Sequence, residues 1–146
     1  MKFYKRIIFA VIICILFIGG TFSSNLYYVQ FSEKPEISKK TKVTFKNFNI
    51  GEVKDMKLSE SNYITVKIDI DDKYDDKIVE SGIFYVEDNK LRYIILDEKS
   101  DRVESGKYFL GFESKYKYYI WRTKNWLKNG VEAIRKKLKK SKFEKI

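Results

Sequence analysis

The sequence contains no histidine, and its single cysteine, Cys14, lies in an apolar segment near the N-terminus. Histidine is the usual general base of hydrolytic enzymes and a frequent zinc ligand, and most serine and cysteine nucleophiles act beside one. The missing histidine therefore argues against most hydrolytic and zinc-dependent mechanisms. We expect a protein that is not an enzyme and that holds no cofactor.

Proline is equally scarce, since Pro35 is the only one, whereas aromatic residues make up 16% of the chain. The aromatic and β-branched residues favour the pleated, half-buried surface of a β-sheet. A chain of 146 residues has room for one small domain. The composition thus predicts a single small β-rich domain.

The net charge of +10 is concentrated at the two ends of the chain. Three basic residues stand among the first six, and residues 122–146 carry ten lysines or arginines against two glutamates. The long middle of the chain is close to neutral. A nucleic-acid-binding domain usually spreads its basic residues over a folded face. We therefore expect no nucleic acid among the partners.

Residues 1–24 have the pattern of a membrane-targeting segment. A basic start is followed by an apolar run from Ile7 to Ile18, a length found in signal peptides and in short membrane spans. Both a cleaved signal and an uncleaved anchor fit, and we favour the anchor because the cleavage signal is weak. Basic residues stay on the cytoplasmic side. We predict a single-pass protein of the bacterial inner (cytoplasmic) membrane, with its N-terminus inside and its domain in the periplasm or outside.

Seven short segments rich in aromatic and β-branched residues follow, separated by turn residues, and the second and fourth of them alternate apolar and polar residues with period 2. The predicted strands are residues 26–31, 42–46, 50–58, 63–70, 83–86, 91–96 and 108–112. In the second of them, Val43 and Phe45 are predicted to point inward and Thr44 outward. The acidic stretch 69–79 is predicted to be a solvated loop or one helical turn. Seven short strands within residues 25–114 predict a small all-β barrel or sandwich.

Residues 43–58, VTFKNFNIGEVKDMKL, contain the most informative turn. Asn47 and Asn49 are predicted to flank a tight turn, because asparagine tolerates positive φ. Gly51 lies where a β-bulge or a close approach of two backbones is expected. The stretch is thus predicted to be a strand, a tight turn, and a strand bent at a glycine.

This arrangement resembles the opening of the mammalian cell entry (MCE) domain. The residues that carry the resemblance are Val43, Phe45, Asn47, Ile50, Gly51 and Val53. The resemblance implies a seven-stranded β-barrel over residues 25–114, preceded by a transmembrane helix. It also implies a non-enzymatic subunit of a lipid transport system, which binds or passes phospholipid through a homo-oligomer, a hexamer in this family. An ABC-type permease and ATPase are the implied partners.

The loop between the fifth and sixth strands departs from the family pattern. In many members this loop carries paired leucines that line a central pore. The corresponding residues 87–93 are short and charged, with Leu91 as the only aliphatic residue. Leu91 and Tyr93 are the candidate pore residues here.

Residues 115–146 are predicted to form a basic amphipathic helix and tail. Its apolar seam comprises Ile120, Leu127, Val131, Ile134 and Leu138, with Lys124 within the seam. Three arrangements remain open: six helices in a bundle, a helix on an anionic membrane anchored by Trp121, Trp126 and Phe143, or a helix packed on its own barrel. The second arrangement supports an alternative function, an anchored envelope-interaction protein whose basic helix binds anionic lipid or cell-wall polymer.

Overall fold

A computed structural model describes residues 25–143 of the protein, with side chains up to Lys139, so the predicted membrane span at residues 1–24 lies outside the described residues. The strands are β1 (Asn25–Phe31), β2 (Lys42–Phe45), β3 (Phe48–Leu58), β4 (Ile64–Ile70), β5 (Gly82–Glu87), β6 (Lys90–Ile95) and β7 (Tyr108–Phe112). A 3-10 helix (Asp72–Lys77) lies between β4 and β5, and a long α-helix, α1 (Lys115–Phe143), follows β7. The predicted seven strands and C-terminal helix are confirmed.

The seven strands close into a barrel in the order β1-β4-β3-β2-β6-β5-β7. Sequential hairpin partners pair antiparallel, whereas β1 with β7, β2 with β6, and β5 with β7 pair parallel. The barrel is therefore mixed. Closure leaves none of its strands with an unpaired edge. Because β1, β7 and β5 run in the same direction, all three begin at one end of the barrel, the end at which Asn25 enters.

Two tight turns each have two central residues with positive φ. Lys46 and Asn47 join β2 to β3 with φ values of 47° and 68°, and Asp88 and Asn89 join β5 to β6 with values of 52° and 56°. Positive φ at both central residues is the signature of the type I′ hairpin turn, which matches the twist of paired strands. The predicted turn at Asn47 is confirmed. Asn49, however, lies within β3 and does not flank the turn.

β3 bends twice as it crosses between its two neighbours. Its pairing with β2 shifts next to Gly51, and its pairing with β4 shifts between Val53 and Asp55. A Cβ atom placed on Gly51 would lie 2.1 Å from the backbone oxygen of Asp69. Only glycine permits this approach, so both features expected at Gly51, a bulge beside it and a close backbone contact, are present.

The barrel interior is filled by side chains from all seven strands. The largest fully buried residues are Tyr27, Tyr93, Phe31 and Phe84, and they pack with a shell of valine, isoleucine and leucine. Thr44 was expected on the surface but is 4% exposed, because the Arg92 side chain from the adjacent strand covers it. Within residues 25–143, the interior of a single barrel is thus a packed core.

The acidic stretch closes the barrel end at which β1 begins. Most of its carboxylates are exposed, as expected for a solvated turn, but Asp75 is 7% exposed. The Tyr27 hydroxyl donates to Asp75 at 2.5 Å, and Arg102 forms an ion pair with the same carboxylate. The prediction of a fully solvated segment is wrong at Asp75, since a partner from the core and one from a loop satisfy its charge.

Candidate functional site

The helix α1 begins directly after the last strand. The Ser114 hydroxyl accepts a hydrogen bond from the Lys117 amide at 3.2 Å, and the Ser114 carbonyl accepts one from Tyr118 at 3.2 Å. A serine that accepts from the third following amide is a favourable N-cap. The local sequence therefore starts the helix at the barrel wall.

Glu113, just before the cap, ties the start of α1 to the segment after β1. Its carboxylate accepts from the Glu33 amide at 2.6 Å and from the Ser32 hydroxyl at 2.9 Å, and it lies 3.3 Å from the Lys117 ammonium. Partial burial alone would raise the pKa of Glu113, but these donors outweigh burial and hold the pKa below its ordinary value. The ionised form of Glu113 thus favours the docked start of α1.

The first two turns of α1 dock on the outer wall of the barrel through aromatic side chains. Tyr118 is 4% exposed and stacks on Tyr85 of β5, with ring centroids 5.4 Å apart. Trp121 packs against Phe112 at 5.2 Å, and Ile83 completes the cluster. This small core, separate from the barrel interior, fixes the direction of the helix.

Successive residues of α1 contact β5 in reverse order, from the C-terminal end of the strand to its N-terminal end. Lys115 forms an ion pair with Glu87 at the end of β5, at 2.7 Å, and Tyr118 meets Tyr85 in its middle. Arg122 lines a surface cleft with Leu96, whose amide donates to the carbonyl of the residue before β5. The helix therefore runs antiparallel to β5, towards the barrel end at which β1 begins.

The apolar seam predicted for the helix lies away from the barrel. At 3.6 residues per turn, its members form one stripe roughly opposite Tyr118 and Trp121. The exposed fractions are 37% for Ile120, 53% for Leu127, 48% for Val131, 60% for Ile134 and 60% for Leu138. We call these five residues the aliphatic stripe. Among residues 25–139, no side chain covers it.

Positive charge surrounds the aliphatic stripe. Seven lysines or arginines lie between Arg122 and Lys139, against one carboxylate, Glu132. From Trp126 to Lys139 every residue is exposed, and Trp126 itself is 73% exposed. This distal half, residues 126–143, combines an uncovered apolar surface with a dense row of cations, an arrangement that can bind an apolar or an anionic partner.

The residues of the family-like turn have a structural role in the barrel. Val43, Ile50 and Val53 are fully buried in the core, and Phe45 is half-buried against it. Gly51 sets the strand spacing. These residues therefore stabilise the barrel. The side chains that are fully buried cannot contact a partner.

Leu91 and Tyr93 are not pore residues in this barrel. Their side chains are 0% and 1% exposed, in the interior, and the Tyr93 hydroxyl binds backbone groups of Lys77 and Val79. The turn before them has only two central residues, so nothing projects from it. The prediction that these two residues line a pore is wrong, because side chains alternate between the two faces of β6 and both of these lie on its inner face.

Sequence reasoning missed the aromatic docking cluster. Its signal was present, since Tyr118 and Trp121 lie three residues apart on one helical face, and Ile83 and Tyr85 alternate outward on a strand. Trp121, expected as a membrane anchor, is half-buried against Phe112. The side chain of Phe143, the third expected anchor, lies outside the described residues. Across residues 25–143, no helix is long and apolar enough to span a membrane.

Comparison with known proteins gives a family and a fold. The family model of the MlaD protein matches residues 23–99, more than half of the chain. No curated protein matches the sequence. A similar solved structure is a chain of the Acinetobacter MlaFEDB complex in its ATP-bound Vtrans1 conformation, with 14% identity and a TM-score of 0.51, covering 77% of this chain and 90% of that one. The closed seven-stranded barrel and the family match agree with the MCE-like motif around Gly51, and the chain belongs to the MlaD protein family of MCE domains.

Proposed function

We propose that this protein is the membrane-anchored ring subunit of an MCE-type lipid transport system. In this role it binds or passes phospholipid and catalyses no reaction. The proposal is supported by the family assignment together with one observation, the filled barrel interior. Since no conduit runs through a single small barrel, a lipid path requires several copies side by side, as in the hexamers of this family.

The location and partners follow from the same proposal. Residues 1–24 anchor the chain in the bacterial inner membrane, and the barrel lies on its periplasmic or outer side. The similar solved structure belongs to a complex in an ATP-bound conformation. This supports an ABC-type permease and ATPase as partners that drive the movement of lipid.

Native mass spectrometry of the full-length protein in detergent tests the proposal. We expect a closed homo-oligomer, six copies by family resemblance, that carries phospholipid through purification. Extraction of the bound lipid and its identification complete the measurement. A strictly monomeric protein without lipid would contradict the proposed function.

The distal half of α1 favours a second function, because its cations and aliphatic stripe are exposed. In this alternative the protein is an anchored envelope-interaction protein that binds anionic lipid or cell-wall polymer through α1 and forms no ring. A monomer whose binding to isolated cell wall or anionic vesicles disappears on deletion of residues 126–146 would favour it. An oligomer that carries lipid without α1 would exclude it.

A further inference from the structure

The direction of α1 brings its distal half towards the end of the barrel where the chain enters from the predicted anchor. Asn25 begins β1 at this end, and its side-chain amide donates to the Asp72 carboxylate there at 2.7 Å. Only six residues lie between Ile18, the last residue of the apolar run, and Asn25. If the anchor of the proposed function holds, this end of the barrel faces the membrane.

The helix is long enough to reach beyond this end. Arg122 lines the cleft on the barrel wall, and the helix continues from there to Phe143. At 1.5 Å per residue these 21 positions span about 30 Å. The distal half therefore extends past the barrel on the side of the anchor and not on the side of the β5–β6 turn.

The charge of the distal half distinguishes between possible partners. A helix bundle of identical copies would bring like charges together, because each helix has seven cations between Arg122 and Lys139 and only Glu132 to oppose them. Lys124 would also fall within the apolar seam. An anionic lipid surface instead provides opposite charge for the cations and an apolar boundary for the stripe.

We propose that the distal half of α1 binds the anionic headgroups of the same membrane that holds the anchor. Leu127, Ile134 and Leu138 enter the boundary between headgroups and acyl chains, and the flanking lysines and arginines contact the lipid phosphates. Each subunit thus meets the membrane twice, through its anchor and through α1. This contact holds the barrel at a set height and orientation over the membrane surface. The inference rests on the anchor in the proposed function and adds a lipid-binding site to it.

The test places an environment-sensitive fluorophore on the full-length protein in vesicles. In a Cys14→Ser background, Ile134→Cys carries the label on the stripe. Leu58→Cys is the matched control, because Leu58 is similarly exposed, 68% against 60%, at the opposite end of the barrel. Vesicles of phosphatidylcholine are compared with vesicles that also contain phosphatidylglycerol, each with and without brominated acyl chains.

We expect a blue shift and quenching by brominated lipid at position 134 in the anionic vesicles. Both effects should be lost in neutral vesicles, at high salt, and in a variant with Arg135→Gln, Lys136→Gln and Lys137→Gln, while position 58 stays unchanged throughout. A label at position 134 that stays in water in both vesicle types overturns the proposal. A blue shift that persists in neutral vesicles and at high salt, without quenching by lipid, identifies a second copy as the partner and also overturns it.

The outcome is independent of the ring. The fluorophore reports the position of α1 whether the protein is a monomer or a hexamer. The result can therefore be interpreted even if the protein forms no ring. Flotation of the same samples at high salt reports the anchor separately. A protein that leaves the vesicles under those conditions contradicts the anchor, whereas a protein that floats with its label in water contradicts only the role proposed for α1.

Discussion

The barrel and the distal half of α1 differ in how far their side chains are buried and paired. In the barrel, apolar residues are buried against one another, and the one buried carboxylate, Asp75, has a tyrosine and an arginine as partners. In the distal half, every described residue is exposed, including four members of the aliphatic stripe. The barrel therefore buries its apolar side chains within the described residues, whereas the apolar side chains of α1 beyond Arg122 have no cover among residues 25–139.

The largest effect is expected from Gly51→Ala, which tests how tightly the barrel is built. The added Cβ would lie 2.1 Å from the Asp69 oxygen, and a backbone atom cannot move aside as a side chain can. We expect a loss of about 3 kcal/mol in the free energy of unfolding, measured by chemical denaturation.

Gly130→Ala in α1 is the matched control, because nothing lies within 4 Å of its added Cβ. Alanine has the higher helix propensity, so this variant should gain up to about 1 kcal/mol in helix stability. Equal stability of the two alanine variants would mean that β3 and β4 are not in close contact at Gly51.

Tyr118→Ala tests whether the docking of α1 and the folding of the barrel are independent of each other. The ring is almost fully buried between Tyr85, Phe112 and Ile83, so its removal should weaken docking of α1 by about 2–3 kcal/mol and leave the barrel folded. Hydrogen exchange should show faster exchange over the first turns of α1 and unchanged protection in β1 and β4.

Tyr116→Ala, on the exposed side of the same turns, is the control. It should leave hydrogen exchange unchanged both in α1 and in the barrel. Loss of protection throughout the barrel in Tyr118→Ala would show that the helix and the barrel are a single cooperative unit.

Alkaline pH should act on the barrel through its buried tyrosines. Burial raises the pKa of Tyr93 to about 12, and burial together with the hydrogen bond to Asp75 raises the pKa of Tyr27 further. A raised pKa in the folded state adds stability that is complete below the ordinary value of 10.0 and disappears as the pH rises through the folded pKa. Ultraviolet titration should show a late group of tyrosines that ionises together with unfolding.

In Tyr93→Phe that late group should become smaller. A titration in which all tyrosines ionise together near pH 10 would contradict the burial of these two rings.

The smallest effect is expected at acid pH, at the junction between the two regions. Donors from Glu33, Ser32 and Lys117 hold the pKa of Glu113 below its ordinary value of 4.5. A lowered pKa adds stability above the ordinary value that is lost as the pH falls through the folded pKa. Docking of α1 should therefore weaken as the pH falls below 4.5, before the barrel unfolds.

Hydrogen exchange at the start of α1, compared between the wild type and Glu113→Gln, measures this effect. The variant should exchange faster at neutral pH and lose the acid dependence. An identical acid dependence in both proteins would place the responsible carboxylate elsewhere.

Local patterns predicted the strands well, because a half-buried strand has period 2 and most strands here, although not β5 beneath α1, have one buried face. The turn at Asn47 was predictable for a similar reason, since positive φ restricts the choice of residues. Leu91, Tyr93 and Asp75 were not placed correctly. Their burial depends on which strand or loop lies opposite, and no local pattern contains that information.

The short strands, the tight turn at Asn47, the bend at Gly51 and the basic amphipathic helix could all be predicted from local sequence, because they depend on neighbouring residues and on the backbone conformations that those residues allow. Three features emerge only in the folded chain: the strand order of the mixed barrel, the burial of Asp75 with Tyr27, and the direction of α1 along β5. These depend on contacts between residues far apart in the chain. The same long-range contacts, between α1 and β5, turn the aliphatic stripe of α1 away from the barrel.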